Sequence, residues 1–369
     1  MEEELRLRAE ERNVIMQIGI VSAASLRFSP YAFYYMRLLD EMGLDYEVVV
    51  PDRYDGVGEG YAGKLHILPW DSRRNTLFNY VSYAENVKKL AVKRFDFLIV
   101  LTTNLGVFCY PWLKKYYDKR YILDIRDYTH ENNSLFFALE KRAVRASALN
   151  VVSSRKFQTF LPQGEYLPCH NITTPMEPSP FRFHKAEGQI VIGYVGSVAY
   201  EEQCRRLMEL VNRDERFAFH FYGSGPSEAA LRAYGEKLGN PRIRFLGQYQ
   251  AAEKGDIIQK VDVLFNAYGS RDINARNLLA NKLYDALYYR KPLLTSPETF
   301  MEEMGGDLAF SLDLETSTAL DRLWDWYQAL DGERLNAFAE RQYAALVEEH
   351  QRTGAEIQQV LRRFSEKGE

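Results

Sequence analysis

The chain has 369 residues, 46% of them hydrophobic and 27% charged, with a formal net charge of −4. This length exceeds one ordinary hydrophobic core and suits two α/β domains. The near-neutral charge excludes a protein that binds nucleic acid through a general basic surface, and the three cysteines lack the spacing of a disulfide framework or a zinc site.

The first fifteen residues are rich in Glu and Arg and predict a helical extension ahead of the first strand. They lack the apolar centre of a secretion signal. No run of the sequence approaches the roughly 20 apolar residues that span a bilayer. We therefore expect a cytoplasmic protein, soluble or peripheral to the inner face of the plasma membrane.

From Met16 onward, short β-rich apolar runs alternate with helical patterns, which predicts parallel sheets covered by helices. We expect a first Rossmann-like domain over residues 16–172. Its predicted strands are Gln17–Val21, Tyr46–Val50, Leu65–Leu68, Phe97–Leu101, Tyr121–Ile125 and Asn150–Ser153, and its predicted helices include Tyr31–Met42, Leu77–Lys93 and Ser134–Ala146. Residues 173–188 carry Pro175, Pro178 and Pro180 and predict an extended linker.

A second alternating series predicts another Rossmann-like domain over residues 189–345, followed by a C-terminal helix over residues 346–369. The predicted strands are Ile190–Val195, Phe217–Tyr222, Ile243–Leu246, Val261–Asn266, Pro292–Ser296 and Leu308–Ser311. The fold class is therefore α/β, with two doubly wound parallel sheets. Ligands of such folds bind beyond the carboxyl ends of the strands, and we expect the site in an inter-domain cleft.

Several enzyme classes lack their motifs. The first strand ends in residues 21–25, VSAAS, whereas a dinucleotide-binding turn needs GxGxxG, which disfavours a nicotinamide dehydrogenase. The patterns GxxxxGK[ST], HExxH and GxSxG are also absent, so P-loop, zincin and α/β-hydrolase interpretations lack their main support.

Two glycine-rich turns close strands of the second domain. Gly196 and Ser197 follow the first strand, and Gly223, Ser224 and Gly225 follow the next strand just before a helix. Glycine lets backbone N–H groups approach an anion, and a helix start adds a favourable dipole. A tight turn between strand and helix explains each glycine equally well.

The most informative segment covers residues 277–296, which predict a helix followed by a Pro-led strand. Asn277, Asn281, Lys282 and Asp285 recur at three-to-four spacing on adjoining turns. A lysine there can meet a diphosphate as a point charge, and a carboxylate one turn later can accept two ribose hydroxyls. The alternative is a solvated helix face with an ordinary ion pair.

Residues 281–285, NKLYD, with residues 291–294, KPLL, resemble the donor-site helix of family 4 and related GT-B glycosyltransferases. In that family a Lys-Leu-Phe/Tyr-Glu run, closing on Gly-Lys-Pro-Val-Ile, holds the ribose and diphosphate of a sugar nucleotide. The resemblance implies that Lys282 binds phosphate and Asp285 binds ribose.

The sequence departs from this family pattern in two respects. Both acidic positions of ExxxxxxxE are neutralised or shortened, to Asn277 and Asp285, and Arg290 replaces the usual glycine before Lys-Pro. The glycine turns, with Gly196, Ser197, Gly223, Ser224 and Gly225, agree with the family, as does their order along the chain, and they complete the expected donor site.

In the first domain, residues 123–131, LDIRDYTHE, leave a strand and enter a polar loop. They resemble the Asp-Ile-Arg-Asp segment of bacterial capsule and O-antigen transferases with this fold. Asp127, His130 or Glu131 is then expected to orient an acceptor hydroxyl or take its proton. A satisfied loop histidine, and an Asp127 that only caps the following helix, are the alternatives.

Residues 110–120, YPWLKKYYDKR, mix aromatic and basic side chains. Such a stretch suits an anionic membrane interface, as in glycosyltransferases that use polyprenyl-linked acceptors. An ordinary helix between two strands is the alternative.

The resemblance implies transfer of a sugar from a nucleoside diphosphate sugar, of UDP or GDP type, to a saccharide or polyprenyl-linked saccharide. It also implies retention of configuration, a role in bacterial surface polysaccharide synthesis, and no cofactor or metal ion. Two alternatives stay open: a GT-B-fold nucleotide-sugar epimerase, and a catalytically silent nucleotide-binding partner subunit.

Overall fold

The computed structural model describes residues 16–26, 29, 31–53, 61–71, 73 and 76–365. The predicted helical extension, residues 1–15, lies outside the described residues. The chain forms two compact units. The second unit is the continuous stretch from His170 to Glu348, and the first unit combines the chain up to Cys169 with the chain from Glu349 onward. Between Pro168 and Ile190 the chain forms no regular helix or strand.

The first unit is built on a parallel seven-stranded sheet with the strand order β3-β2-β1-β4-β5-β6-β7. Its strands are β1 (Ile18–Ser22), β2 (Tyr46–Pro51), β3 (Leu65–Leu68), β4 (Phe97–Leu101), β5 (Tyr121–Ile125), β6 (Leu149–Val152) and β7 (Leu167–Pro168). Its helices are α1 (Ala32–Met42), α2 (Thr76–Arg94), α3 (Thr103–Tyr116) and α4 (Ser134–Ala146).

The second unit contains a parallel six-stranded sheet with the order β10-β9-β8-β11-β12-β13. Its strands are β8 (Ile190–Val195), β9 (Phe217–Tyr222), β10 (Ile243–Phe245), β11 (Val263–Asn266), β12 (Leu293–Thr295) and β13 (Ala309–Ser311). Its helices are α5 (Glu201–Arg213), α6 (Glu228–Leu238), α7 (Lys254–Gln259), α8 (Ile273–Asn277), α9 (Asn281–Tyr289), α10 (Phe300–Gly305) and α11 (Ala319–Gln328); α12 (Gly332–Ser365) begins in this unit and ends in the first.

The predicted fold class is confirmed, because both sheets are parallel and doubly wound. The strand order reverses between β1 and β4 in the first sheet and between β8 and β11 in the second. The alternation of apolar runs predicts these strands correctly because strands of a covered parallel sheet are buried on both faces. In β1, β4 and β5 every residue is buried. The two-residue β7 has no such signal and was not predicted.

Each unit has its own core. In the second unit the core is notably aromatic, with Phe217, Phe219 and Phe221 on β9 and Tyr194 on β8 all buried. This packing accounts for much of the high aromatic content. In the first unit, Ile357 and Leu361 of α12 are fully buried in the same cluster as β1, β2 and β4.

Local signals define several helix ends. The side-chain oxygen of Asn133 accepts hydrogen bonds from the N–H groups of Leu135 and Phe136 at 3.0 and 3.1 Å, so Asn133 caps α4. The alternative that Asp127 caps this helix is therefore wrong. Among the described residues, none of the helices combines the length and apolar character required to cross a bilayer.

Candidate functional site

The two predicted glycine turns lie side by side at the carboxyl ends of β8 and β9. Gly196 and Gly223 have φ angles of 126° and 123°, which side-chain-bearing residues rarely adopt. A Cβ atom on Gly223 would lie 2.0 Å from the carbonyl oxygen of Gly196, and one on Gly225 would lie 2.3 Å from that of Val198. These glycines are needed because one backbone turn packs directly against the other.

Hydrogen bonds join these turns. The N–H of Gly196 donates to the carbonyl of Tyr222 at 2.8 Å, and the N–H of Gly223 donates to the carbonyl of Gly247 at 2.7 Å. The side-chain amide of Gln248 donates to Ser224 Oγ at 2.6 Å. Two of the N–H groups considered for anion binding are therefore used within the turns themselves.

The segment that was predicted as one helix is two helices. Helix α8 ends at Asn277, whose side-chain amide donates to the carbonyl of Ile273 at 2.9 Å, and α9 begins at Asn281. Residues 278–280 interrupt them because Leu278 and Ala280 are extended, while Leu279 is buried in the core. The interruption corrects the expected placement of Asn277, which is not on the helix that carries Lys282 and Asp285.

Helix α9 buries the charged group of Lys282 at the carboxyl end of β8. Lys282 is only 7% exposed, and its ammonium donates to Tyr268 Oη at 2.5 Å. The same nitrogen lies 4.6 Å from the ring centroid of Tyr194 and 3.7 Å from the position that a Cβ would take on Gly196. Lys282 and the glycine turns are therefore neighbours, although they are far apart in sequence.

The pKa of Lys282 is lowered to about 8, chiefly by burial; Asp285 opposes the shift and Lys254 adds to it. A lysine with this pKa is still mostly protonated at pH 7, by roughly ten to one. The structure thus holds a buried ammonium group, whose attraction for an anion is stronger than it would be in bulk water.

Asp285 is 2% exposed and lies one turn after Lys282 on α9. Its Oδ1 atom is 2.7 Å from the ammonium of Lys254, the first residue of α7. Burial raises the pKa of Asp285, and Lys254 counteracts that shift. The alternative of a solvated helix face is wrong because both charged residues of α9 are buried.

Lys254 was not among the predicted site residues. It pairs with Asp285 through a tertiary contact that no local pattern encodes. Asn281, the first residue of α9, is half-buried. At the other end of α9, Arg290 is buried with a φ of 56° and donates to the carbonyl of Leu287. Arginine therefore takes the left-handed position that glycine usually occupies at a helix end.

In the first unit, the first and third residues of the DIRD segment, Asp124 and Arg126, have a structural role. Asp124 and Arg126 form a buried ion pair, with Asp124 Oδ2 accepting from the guanidinium at 2.6 Å and from the Tyr35 hydroxyl at 2.7 Å. The guanidinium also donates to the carbonyl of Cys169 at 3.0 Å. Asp127, the next acid, is exposed.

The other two candidates of this loop differ in environment. Glu131 is buried and accepts a hydrogen bond from the N–H of Thr129 at 2.6 Å, and burial raises its pKa. His130 is exposed, with its ring 5.4 Å from that of Phe136. The loop thus combines an exposed imidazole with a carboxyl group of raised pKa, both of which are suited to proton transfer.

The aromatic and basic stretch is mostly an ordinary helix. Residues 110–116 form the last part of α3, and Trp112 and Tyr117 are buried. Lys114 pairs with Asp118 at 2.6 Å, and the ammonium of Lys119 donates to two backbone carbonyls. Of the four aromatic side chains in this stretch, Trp112 and Tyr117 therefore pack inside the unit, whereas Tyr110 and Tyr116 are half-buried.

No group of three or more His, Cys, Asp or Glu side chains that could hold a metal ion occurs in the part of the chain that the structure describes. In the second unit the structure brings Lys282, Asp285, Gly196 and Gly223 to the same end of the sheet. Asp127, His130 and Glu131 share one loop of the first unit.

No protein-family model matches the sequence, and no curated protein sequence is significantly similar to it. Solved structures do match along nearly the whole chain. The lipopolysaccharide outer core galactosyltransferase WaaB in its apo form is 14% identical with a TM-score of 0.63, over 93% of this chain and 100% of that one. HepE of Anabaena, in complex with UDP and glucose, is 12% identical with a TM-score of 0.66, over 94% and 100%.

A third similar structure is a putative UDP-N-acetylglucosamine 2-epimerase from Listeria monocytogenes. It is 10% identical with a TM-score of 0.59, over 91% of this chain and 94% of that one. These similarities confirm the GT-B fold, with its two Rossmann-like domains.

Proposed function

We propose that this protein transfers a glycosyl unit from a nucleoside diphosphate sugar to a hydroxyl group of an acceptor. The observation that carries the proposal is the buried ammonium of Lys282 beside the Gly196 turn. The buried Lys282 and the half-buried Lys254 accompany a single buried carboxylate there, which leaves the cluster with an excess positive charge. A buried excess charge is costly unless an anion neutralises it, and a diphosphate is such an anion.

Lys282 stabilises the departing diphosphate in this proposal. Negative charge on the phosphate nearest the sugar grows as the bond from the anomeric carbon to oxygen breaks. An ammonium placed there is therefore worth more in the transition state than in the ground state. Because Lys282 supplies this charge, we propose that the reaction needs no metal ion.

Asp285 binds the ribose in this proposal. Oδ1 of Asp285 is paired with Lys254, and the carboxylate has further acceptor capacity for ribose hydroxyls. The base is uracil or guanine; the similarity to the UDP complex of HepE favours uracil. Ribose hydroxyls change little in charge during the reaction, so Asp285 contributes binding rather than rate.

The acceptor is a saccharide or a polyprenyl-linked saccharide. His130, Glu131 and Asp127 are the candidates that orient its hydroxyl or accept its proton, since they share a polar loop after β5. We further propose retention of configuration and a role in bacterial surface polysaccharide assembly, consistent with the similarity to WaaB. We also propose a cytoplasmic location with peripheral contact at the membrane's inner face.

A nucleotide-sugar epimerase is the second candidate, because the Listeria protein with that description shares the fold. An epimerase changes the sugar of its donor without any acceptor, whereas a transferase hydrolyses the donor only slowly. Product analysis with and without acceptor separates them. A silent partner subunit, the third possibility, binds a nucleotide and turns over no donor.

The first experiment is a thermal-shift screen against UDP, GDP, ADP, CMP and dTDP. A ligand that binds the native state raises its melting temperature, by an amount set by ligand concentration and Kd. A selective shift with UDP or GDP is expected. The absence of a shift with all five nucleotides contradicts the proposal.

Steady-state kinetics of two variants then test the assigned roles. Lys282→Ala should lower kcat, with a loss of roughly 10- to 150-fold in kcat/KM for one charged hydrogen bond. Asp285→Ala should raise KM for the donor with a smaller effect on kcat, because it removes uniform binding. If both correctly folded variants keep wild-type kcat/KM, the donor site is not on α9.

A further inference from the structure

The two charged residues of α9, Lys282 and Asp285, do not pair with each other. Lys282 and Asp285 are three residues apart on one helix, where an ion pair between them is expected. The structure pairs Asp285 with Lys254 instead, at 2.7 Å, and the ammonium of Lys282 donates to the neutral hydroxyl of Tyr268. Within the described part of the chain, no carboxylate lies within 4.0 Å of the Lys282 ammonium.

We propose that Lys254 is a positioning residue of the donor site: by holding Asp285, it keeps the ammonium of Lys282 available for the diphosphate. This inference rests on the proposed function and deepens it. Lys254 acts through Asp285, and it need not touch the ligand.

Hydrogen bonds that do not involve the Lys254 ammonium hold the backbone around Lys254 in place. Helix α7 starts after a capping box, in which the N–H of Gln250 donates to Glu253 at 2.6 Å and the side chain of Gln250 accepts from the backbone of Glu253. The Lys254 side chain is 22% exposed and reaches inward to Asp285, with Thr173 Oγ1 3.4 Å from its nitrogen. Replacement of Lys254 therefore removes a charge from the site and leaves the start of the helix intact.

The expected effect of this removal follows from the groups around Lys282. The titratable neighbours of its ammonium are Asp285 on the same helix, Lys254 on α7, Tyr194 on β8, Tyr268 after β11 and Cys204 on α5. Lys254 lowers the pKa of Lys282 and Asp285 raises it. Without Lys254, the freed carboxylate attracts the Lys282 ammonium and competes with the phosphate oxygens for it.

Binding of UDP and of inorganic pyrophosphate, measured by titration calorimetry, tests this coupling in a double-mutant cycle. Lys254→Met should raise the Kd of both ligands about tenfold or more, which is the effect of losing one charged interaction. In the Asp285→Asn background, the same change should weaken pyrophosphate by less than about threefold, because no carboxylate remains to capture Lys282. Lys254→Arg keeps the charge and should hold UDP affinity within about threefold of wild type.

Lys260→Met is the matched control, because Lys260 is exposed at the end of the same helix and its loss changes the net charge equally. It should leave both affinities unchanged. If Lys254→Met weakens pyrophosphate tenfold in both backgrounds, Lys254 contacts the ligand directly and the inference is overturned. Equal affinities for wild type and Lys254→Met overturn it as well.

A measurement without ligand separates this inference from the proposed function. The pKa of Lys282, followed by NMR of lysine labelled with ¹³C and assigned through Lys282→Met, should rise in Lys254→Met. Loss of the Lys254 charge alone raises that pKa as well, so the rise should be larger than in the Asp285→Asn background; equal rises in the two backgrounds overturn the inference whatever UDP does. Failure of the wild type to bind UDP or pyrophosphate, with the pKa shift present, contradicts the proposed function instead.

Discussion

Replacement of Gly223 by alanine tests the close contact between the two glycine turns. The new Cβ would lie 2.0 Å from the carbonyl oxygen of Gly196, more than 1 Å inside the ordinary contact distance, and the obstructing atom is backbone. Overpacking of this kind costs about 1–3 kcal/mol, and a φ of 123° costs alanine a further 1–3 kcal/mol. We expect Gly223→Ala to lower the free energy of unfolding by about 2–6 kcal/mol.

The chain offers a matched control in Gly239, the residue that ends α6. Gly239 also has a positive φ, of 63°, but a Cβ there would meet no atom within 4 Å. Gly239→Ala should therefore cost only the conformational penalty of about 1–2 kcal/mol. Thermal unfolding followed by circular dichroism compares the two variants, and each kcal/mol lowers Tm by about 2–4 °C in a domain of this size.

The difference between the variants isolates the contact from the backbone conformation. If Gly223→Ala unfolds at the temperature of Gly239→Ala, or above it, the two turns do not pack as closely as described. That result would also contradict the position of the Lys282 ammonium next to Gly196, because this position depends on the same turn.

Three further outcomes are expected. Both oxygens of buried Glu140 lack a hydrogen-bond partner in the described structure, and burial raises its pKa from 4.5 to about 8. Between pH 4.5 and 8 the folded state therefore keeps a proton on Glu140 that the unfolded state releases, so the free energy of unfolding falls as the pH rises. Glu140→Gln should remove this contribution to the pH dependence. Denaturant titrations at pH 8 should show that the variant is more stable than the wild type by about 4 kcal/mol. Leu361→Ala, in the core of the first unit, should cost about 2–5 kcal/mol in the same titrations. Transferase activity should survive EDTA, and activity lost to EDTA and restored by Mn²⁺ would contradict the role given to Lys282.

Much of the fold could be predicted from the sequence because covered parallel strands produce continuous apolar runs. The runs at Phe97–Leu101 and Tyr121–Ile125 coincide with β4 and β5, and the glycine turns fall where β8 and β9 end. Short elements without such a run, such as β7, leave no signal. The interruption between α8 and α9 was missed because helical spacing continues across residues 278–280 while the backbone does not.

The site was only partly predictable, for a related reason. Lys282 and Asp285 carry a local pattern, since helix geometry places residues three apart on one face. The partners of these two residues come from other elements: Tyr268 follows β11, and Lys254 begins α7. Such pairings depend on how the helices pack, which neither periodicity nor composition encodes. The buried pair of Asp124 and Arg126 was missed for a different reason: the two residues are local neighbours, but they lie within a motif that resembles a functional one.

The order of synthesis on the ribosome separates the two units in time. The second unit is a single stretch, from His170 to Glu348, and all of its residues are available before the last part of α12 emerges. The first unit is interrupted: Phe364 contacts Phe97 with ring centroids 5.2 Å apart, and Ile357 and Leu361 fill the core around β1 and β4. Although its sheet is translated first, that unit can complete its core only after the second unit has been made. A nascent chain arrested before Glu349 should therefore carry a protease-resistant second unit and a still digestible first one.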